Sequence, residues 1–175
     1  MTSPESISTE QALREAALRC LTRNGVQGVS IKKVAAEAGV NHGLVHYYFK
    51  SKEGLMVAAF EAHCAEQRQR IEAGDFGDTR SIRALLEQEI KLSAHLMIEF
   101  AAMAVSMPVL AEAIDRGLGE TVRLFADRAN LTSSLHADFV IASFFGIAVH
   151  ARLRSGLDVG ALCDILLTTQ PPKET

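Results

Sequence analysis

The chain has 175 residues, of which 48% are hydrophobic and 22% are charged, and its formal net charge at pH 7 is -3. A chain of this size buries roughly 70% of the surface that it exposes when unfolded, so it can form a core without disulfide staples. Its three cysteines are far apart, with no Cys/His cluster at zinc-ligand spacing. We expect a cytoplasmic protein with no metal and no cofactor.

The sequence predicts neither export nor membrane insertion. The N-terminal residues MTSPESISTE lack the basic and apolar regions of a signal peptide. The most apolar runs, residues 96–105 and 139–149, are too short to span a bilayer.

Charge is distributed unevenly along the chain. Residues 1–52 contain seven Lys and Arg residues against four Glu residues, whereas residues 53–175 contain eleven basic and seventeen acidic residues. The first segment therefore carries +3 and the second -6. A local basic segment favours an anionic partner such as nucleic acid.

The first predicted helix covers residues 9–24. Ser8 and Gln11 can form a capping box at its start, and Gly25 stands where a helix commonly ends. Apolar residues recur there at helical spacing: Leu13, Ala16, Ala17, Cys20 and Leu21.

Two short helices and a long one follow. Ser30 is the predicted N-cap of a helix over residues 30–38, which Gly39 ends. Asn41 is the predicted N-cap of a helix over residues 42–48, and Ser51 caps a long helix over residues 52–73.

The rest of the chain also has helical periodicity. Residues 74–78 form the predicted linker, and PPKET is predicted to be a frayed tail. Gly117 and Gly119 are predicted to bend or split the helix that contains them. The predicted helices cover residues 79–94, 95–105, 109–129, 133–155 and 159–169. The chain is therefore predicted to be all-α, with about nine helices.

The two short helices fit a helix-turn-helix, although any compact corner of a helical bundle would have the same pattern. At about 100° per residue, Val45 and Phe49 lie on one side of the second helix. Gly43 and Tyr47 point away from that side, with Leu44 and His46 on its flanks.

This outward arc has the chemistry of a DNA contact. Tyrosine hydroxyls and lysines bind phosphate oxygens, imidazoles contact base edges or phosphates, and a leucine can meet a thymine methyl group. His42 and His46 also have the i, i+4 spacing of zinc ligands, but no Glu or third ligand accompanies them. No residues have a pattern that predicts catalysis, so we do not expect an enzyme.

The run GVQGVSIKKVAAEAGVNHGLVHYYFKSKEGL resembles the N-terminal signature of TetR-type transcriptional regulators. The resemblance covers about residues 8–60. The matching positions are Ser30, Val34, Ala35, Ala38-Gly39-Val40, Tyr47 or Tyr48 next to Phe49, and Lys52 with Leu55.

The resemblance implies a three-helix DNA-binding head over residues 1–50 and a helical body over residues 51–175 that dimerises and holds an effector pocket. Leu44 stands where the family often has Ser or Thr, and His46 where it commonly has Tyr. By resemblance, phosphate contacts come from Ser30 and Lys32, base contacts from Asn41, His42, Gly43 and Leu44, and backbone contacts from His46, Tyr47, Tyr48 and Lys52.

Methionine and aromatic residues in the middle of the body allow two interpretations. They can fill the core, or they can line an adaptable pocket for an apolar effector, because methionine side chains are flexible and polarisable. The predicted pocket residues are His95, Leu96, Phe100, Met103 and Met107.

By resemblance, the last two helices pair with their symmetry mates in a homodimer. In a single subunit the same residues could form the core. The predicted interface residues are Phe139, Ala142, Gly146, Ile147 and His150 on the first helix, and Leu162, Ile165 and Leu166 on the second.

The expected function is that of a homodimeric repressor, which binds a near-palindromic operator in double-stranded DNA and is released by a small apolar effector. Two alternatives stay open: a DNA-binding regulator that uses no effector or activates transcription, and a helical scaffold whose basic head binds another protein.

Overall fold

The computed structural model describes residues 8–131 and 133–168, so the predicted PPKET tail and most of MTSPESISTE lie outside the described residues. The described residues contain nine helices and no strand, which confirms the all-α prediction. The helices are α1 (Thr9–Gly28), α2 (Ile31–Glu37), α3 (Gly43–Phe49), α4 (Lys52–Ala73), α5 (Thr79–Leu92), α6 (Ala94–Ala104), α7 (Pro108–Arg128), α8 (Ser134–Leu153) and α9 (Val159–Thr168). None of them is both long and apolar enough to cross a membrane.

The ends of α1 follow the predicted signals with two differences. The Ser8 hydroxyl accepts from the Gln11 N–H at 3.2 Å, but the Gln11 side chain donates to Glu15 instead of closing the capping box. Gly25 has a positive φ of 60° as expected, yet one more helical turn follows it before the helix ends at Gly28.

The glycines of α7 do not split that helix. Pro108 is its first residue, one before the predicted start, and the helix continues through Gly117 and Gly119, neither of which has a positive φ. The Thr121 hydroxyl donates to the Gly117 carbonyl at 2.9 Å and so satisfies a second acceptor site there.

The chain divides into two compact units. Unit 1 comprises Met1–His63 and Glu99–Ile114, and unit 2 comprises Cys64–Ile98 and Asp115–Thr175. The predicted division after residue 50 separates DNA binding from effector binding and stays a prediction.

Unit 1 has an aromatic core. The rings of Phe60 on α4 and Phe100 on α6 lie edge to face at 5.3 Å, and both side chains are fully buried. Leu13 from α1, Val45 from α3 and Met103 from α6 are also buried in this unit. Burial of Phe100 and Met103 favours core filling over the predicted pocket lining for these two residues.

Glu99 interrupts the apolar run of α6 for a reason that the sequence does not reveal. Its carboxylate accepts from the Val26 N–H at 2.8 Å. Val26 follows the non-helical Gly25, where the regular helix ladder is broken. The carboxylate therefore satisfies a backbone donor that the irregular end of α1 leaves available.

Unit 2 is built around side chains of α5, α7, α8 and α9: Leu86, Phe125, Val140, Phe144, Cys163 and Leu166. Leu166 was predicted at the dimer interface; its side chain is buried in its own unit, and a place at an interface stays a prediction. Phe76, in the predicted linker, also packs against this cluster, with its ring 5.8 Å from that of Phe125.

A buried polar network crosses unit 2. The Arg70 guanidinium donates to both carboxylate oxygens of Glu89, at 2.6 and 3.1 Å. Gln67 and Ser93 also donate to Glu89, at 3.2 and 2.7 Å. The hydrogen bond to Glu89 raises the pKa of Arg70 above its usual value. Four donors thus compensate the desolvation of the Glu89 carboxylate.

Glu89→Gln is expected to lower the free energy of unfolding by about 3 kcal/mol, because it leaves the half-buried Arg70 without a counter-charge. Asp164→Asn is the matched control, since Asp164 pairs with Arg83 at 2.7 Å but is 50% exposed. The control should change stability by less than about 1 kcal/mol. Urea denaturation at one protein concentration measures both, and equal effects would contradict the role given to the buried pair.

Candidate nucleic-acid interface

The turn between α2 and α3 is a Schellman motif. The Val40 N–H donates to the Ala35 carbonyl at 3.0 Å, and the Gly39 N–H donates to the Ala36 carbonyl at 3.1 Å. Gly39 has a φ of +69°, which only glycine adopts without strain. This glycine lets the chain leave α2 and begin α3 within a few residues, as a helix-turn-helix requires.

Two buried side chains anchor α3. Val45 is 0% exposed and Phe49 is 7% exposed, whereas Tyr47 is 69% and Tyr48 is 38% exposed. The predicted inward and outward faces of this helix are therefore confirmed. The adjacent tyrosines differ, with Tyr48 nearer to the packed face.

The start of α3 lies one residue later than predicted. His42 occupies the N-cap position with helical backbone angles and makes no side-chain cap bond. Asn41 performs that task, because its Oδ1 accepts from the Gly43 N–H at 2.8 Å. The amide NH₂ of Asn41 remains as the part of this side chain that can donate to a base.

Ion pairs separate the basic residues near α3 into two groups. Arg14 pairs with Glu10, while Arg19 and Arg23 both bind Glu37, at 2.9 and 3.0 Å. In residues 8–52 the four lysines take part in no such pair. The basic residues of this part without a carboxylate partner are therefore Lys32 and Lys33 in α2, Lys50 at the end of α3 and Lys52 at the start of α4.

Glu37 connects α2 to α1. The Arg19 hydrogen bond, helped by the charge of Arg23, lowers the pKa of the Glu37 carboxyl below its usual value. The carboxylate thus stays ionised and holds two arginines of α1 against the last turn of α2.

The corner between α3 and α4 is tight. The Ser51 hydroxyl accepts from the Gly54 N–H at 3.0 Å, as predicted for the cap of α4. A Cβ atom on Gly54 would lie only 2.2 Å from the Phe49 carbonyl oxygen. Gly54 therefore lets the first turn of α4, which begins at Lys52, approach the end of α3 closely.

The structure brings the ten predicted DNA contacts together in unit 1. Leu44 and Lys52 are half-buried, and the other eight residues are exposed: Ser30, Lys32, Asn41, His42, Gly43, His46, Tyr47 and Tyr48. Lys50 was not among the predicted contacts, although its side chain reaches the Tyr47 backbone. The roles of all ten in DNA binding stay predictions.

The predicted effector residues are divided between the two units, and their role stays a prediction. His95 and Leu96 belong to unit 2, whereas Phe100, Met103 and Met107 belong to unit 1. A small cavity with a volume of ≈ 20 Å³ lies within unit 2. Six apolar side chains line it together with Gln67, Glu89 and Thr121, and none of the five predicted residues does.

Two faces of α8 are apolar. Ala137, Val140, Phe144 and Ala148 are buried in unit 2. Phe139, Ala142, Gly146 and His150, all predicted at the dimer interface, are exposed on the other side, whereas Ile147 is half-buried. Leu162 of α9 is half-buried and Ile165 is 62% exposed. Sequence reasoning missed three exposed apolar residues of α8, namely Leu135, Val149 and Leu153, although they continue the same spacing of three and four residues.

Part of the chain is similar in sequence to known proteins. Residues 13–59 match the family described as bacterial regulatory proteins, tetR family. The HTH-type transcriptional regulator BetI of Rhizobium meliloti is 30% identical over 92 residues, which are 53% of this chain and 42% of BetI. The nicotine-responsive transcriptional repressor HdnoR of Paenarthrobacter nicotinovorans is 31% identical over 104 residues, 58% of this chain and 48% of HdnoR. The matches thus span less than half the length of these curated relatives.

A solved structure extends the likeness of fold along the chain. The crystal structure of a transcriptional regulator from Rhodococcus sp. Rha1 has a TM-score of 0.78 and 24% sequence identity. The similarity covers 91% of this chain and 94% of the Rhodococcus chain. At this identity the comparison supports the helical fold.

Gly54→Ala is expected to destabilise the chain by about 2 kcal/mol, because the new methyl group would overlap the Phe49 carbonyl. Gly119→Ala in α7 is the matched control, since its Cβ would meet nothing closer than Arg123 at 3.6 Å. The control should stabilise the protein by about 0.5–1 kcal/mol through higher helix propensity. Thermal unfolding of the two variants compares them, and destabilisation of the same size in both would refute a close approach at Gly54.

Proposed function

We propose, from the match of residues 13–59 to the tetR family of bacterial regulatory proteins, that the chain is a homodimeric repressor of this family. It binds a near-palindromic operator in double-stranded DNA and is released by a small apolar effector. The observation that carries this proposal is the exposed surface of α3, which presents Tyr47 and His46 between four lysines that form no ion pairs within residues 8–52.

DNA chemistry explains why these residue types occur together. Lysines and tyrosine hydroxyls bind phosphate oxygens and set the register of the protein on the duplex. Asn41, His42 and Leu44, near the start of α3, are then the candidates for base contacts in the major groove. A surface that only had to be soluble would normally carry glutamate or glutamine on this arc.

Dimerisation accounts for the second apolar face of α8. A helix that is apolar on two sides buries one in its own core and needs a partner for the other. Leu135, Phe139, Val149 and Leu153 provide that face, with the small residues Ala142 and Gly146 between them. We propose that α8 and α9 meet their symmetry mates in an isologous contact around a two-fold axis.

A two-fold dimer determines the geometry of the operator. Two copies of α3 enter successive major grooves about 34–36 Å apart, so the half-sites repeat in inverted orientation. An effector releases the protein only if it binds more tightly to a conformation with a different separation. Repression and effector release are proposed for this chain by analogy with HdnoR, a nicotine-responsive transcriptional repressor.

Duplex binding is expected to weaken steeply as salt rises, because phosphate contacts release counterions. Lys52→Ala should lower affinity for all sequences alike and reduce the slope of log affinity against log salt by about 1. Lys91→Ala removes an exposed lysine of α5 in unit 2 and should change neither quantity. Fluorescence anisotropy with duplex DNA across a salt series measures both variants. If the unmodified chain binds no duplex even at low salt, the repressor proposal fails and a protein partner for the basic head becomes the better explanation.

Ile165→Glu is expected to convert the proposed dimer to a monomer, because it introduces a charge into an apolar contact on α9. Leu92→Glu is the matched control, as Leu92 is 51% exposed on α5 and Ile165 is 62% exposed on α9. Sedimentation at micromolar concentration should show the control as a dimer. A monomeric unmodified chain, or a dimeric Ile165→Glu variant, would disprove the proposed interface.

A further inference from the structure

The backbone at the end of α3 is strained. Lys50 has a φ of 66° and a ψ of -40°, and the Ser51 N–H donates to the Phe49 carbonyl at 2.7 Å across it. These angles and the i to i+2 hydrogen bond define a γ-turn of the positive-φ form, which is rare and strained. Among the described residues, Asn130 is the one other non-glycine residue with positive φ, and asparagine tolerates that region far better than lysine does.

The strained turn directs the lysine side chain back onto α3. Lys50 Nζ donates to the Tyr47 carbonyl at 3.0 Å and lies 5.9 Å from the centre of the Tyr47 ring. The Lys50 N–H donates to the His46 carbonyl at 3.1 Å. The His46 Nδ1 lies 3.2 Å from the Lys50 carbonyl, so the turn also contacts the imidazole.

Tyr47 needs such support because the core does not hold it. Its side chain is 69% exposed, and its described ring contacts are Tyr48, edge to face at 5.0 Å, and the Lys50 ammonium. An exposed side chain that samples several rotamers loses conformational entropy when it binds. A side chain held beforehand in one orientation loses less and binds more tightly.

We propose that Lys50 is a positioning residue for DNA binding, which holds Tyr47 and the last turn of α3 in the orientation that meets the DNA backbone. The proposal rests on the proposed function, in which Tyr47 contacts a phosphate. It explains why lysine occupies a turn that glycine or asparagine would form with less strain. The ammonium acts through Tyr47, since its described hydrogen bond is to the Tyr47 carbonyl.

The decisive experiment is a double-mutant cycle in the full chain, measured as duplex DNA affinity across a salt series. Lys50→Met keeps the unbranched stem and removes the donors, and Tyr47→Phe removes the hydroxyl but keeps the ring. We expect each single change to weaken binding about 5-fold, in line with the loss of one hydrogen bond. The double variant should also lose about 5-fold, because Lys50 affects affinity by orienting the side chain that carries the Tyr47 hydroxyl.

Three further measurements separate positioning from other roles. Lys52→Met has the same change of charge as Lys50→Met and should reduce the salt slope by about 1, whereas Lys50→Met should leave the slope unchanged. Lys50→Arg should restore affinity, because a guanidinium can also donate to the carbonyl and stack on the ring. Lys50→Gly adopts the turn without strain, so it should weaken DNA binding without lowering the melting temperature.

Additive losses of about 25-fold in the double variant, a lower salt slope for Lys50→Met, or full affinity for Lys50→Gly would each overturn the positioning role. These outcomes differ from a failure of the proposed function. In that case the unmodified chain itself would show no salt-dependent binding to duplex DNA.

Discussion

Burial of Val45 and Phe49 is the constraint on which the candidate interface depends. Because these two side chains lie in the core of unit 1, Gly43 and Tyr47 lie on the opposite, exposed face of α3. The Schellman turn at Gly39 sets where α3 begins, and the corner at Gly54 sets where it ends. Loss of the Val45 or the Phe49 side chain from the core would let α3 rotate, and all the proposed contacts of this helix would change together.

Ion pairing then decides which charges face a partner. The arginines of α1 are neutralised by glutamates, two of them by Glu37, and so stabilise the contact between α1 and α2. The lysines in and next to α2 and α3 form no ion pair within residues 8–52. The arginines of residues 1–52 thus stabilise the fold, and the lysines of the same residues carry the positive charge that is not paired.

Strain and apolar exposure mark the two places where this chain departs from what stability alone favours. A lysine in a positive-φ γ-turn costs folding free energy, and a second apolar face on α8 costs solubility. Both departures have an explanation in the proposed function: the first holds a tyrosine for DNA, and the second meets a partner subunit. The buried Arg70 and Glu89 network has no such role in our proposals, although Glu89 lines the cavity of unit 2.

The sequence by itself determined the helical class, the positions of the helices to within a few residues, the outward face of α3 and the family resemblance, all of which are confirmed. These features are local, since they depend on residues three and four apart and on caps next to each helix. Only the tertiary structure decided which apolar residues share a core, because burial depends on elements distant in the chain. Leu166 and Phe100 are buried within their units. The Val26 N–H donates to the Glu99 carboxylate, 73 residues away, and the Lys50 ammonium donates to the Tyr47 carbonyl. Helical spacing and cap residues do not predict those contacts, since each needs a backbone direction that packing sets.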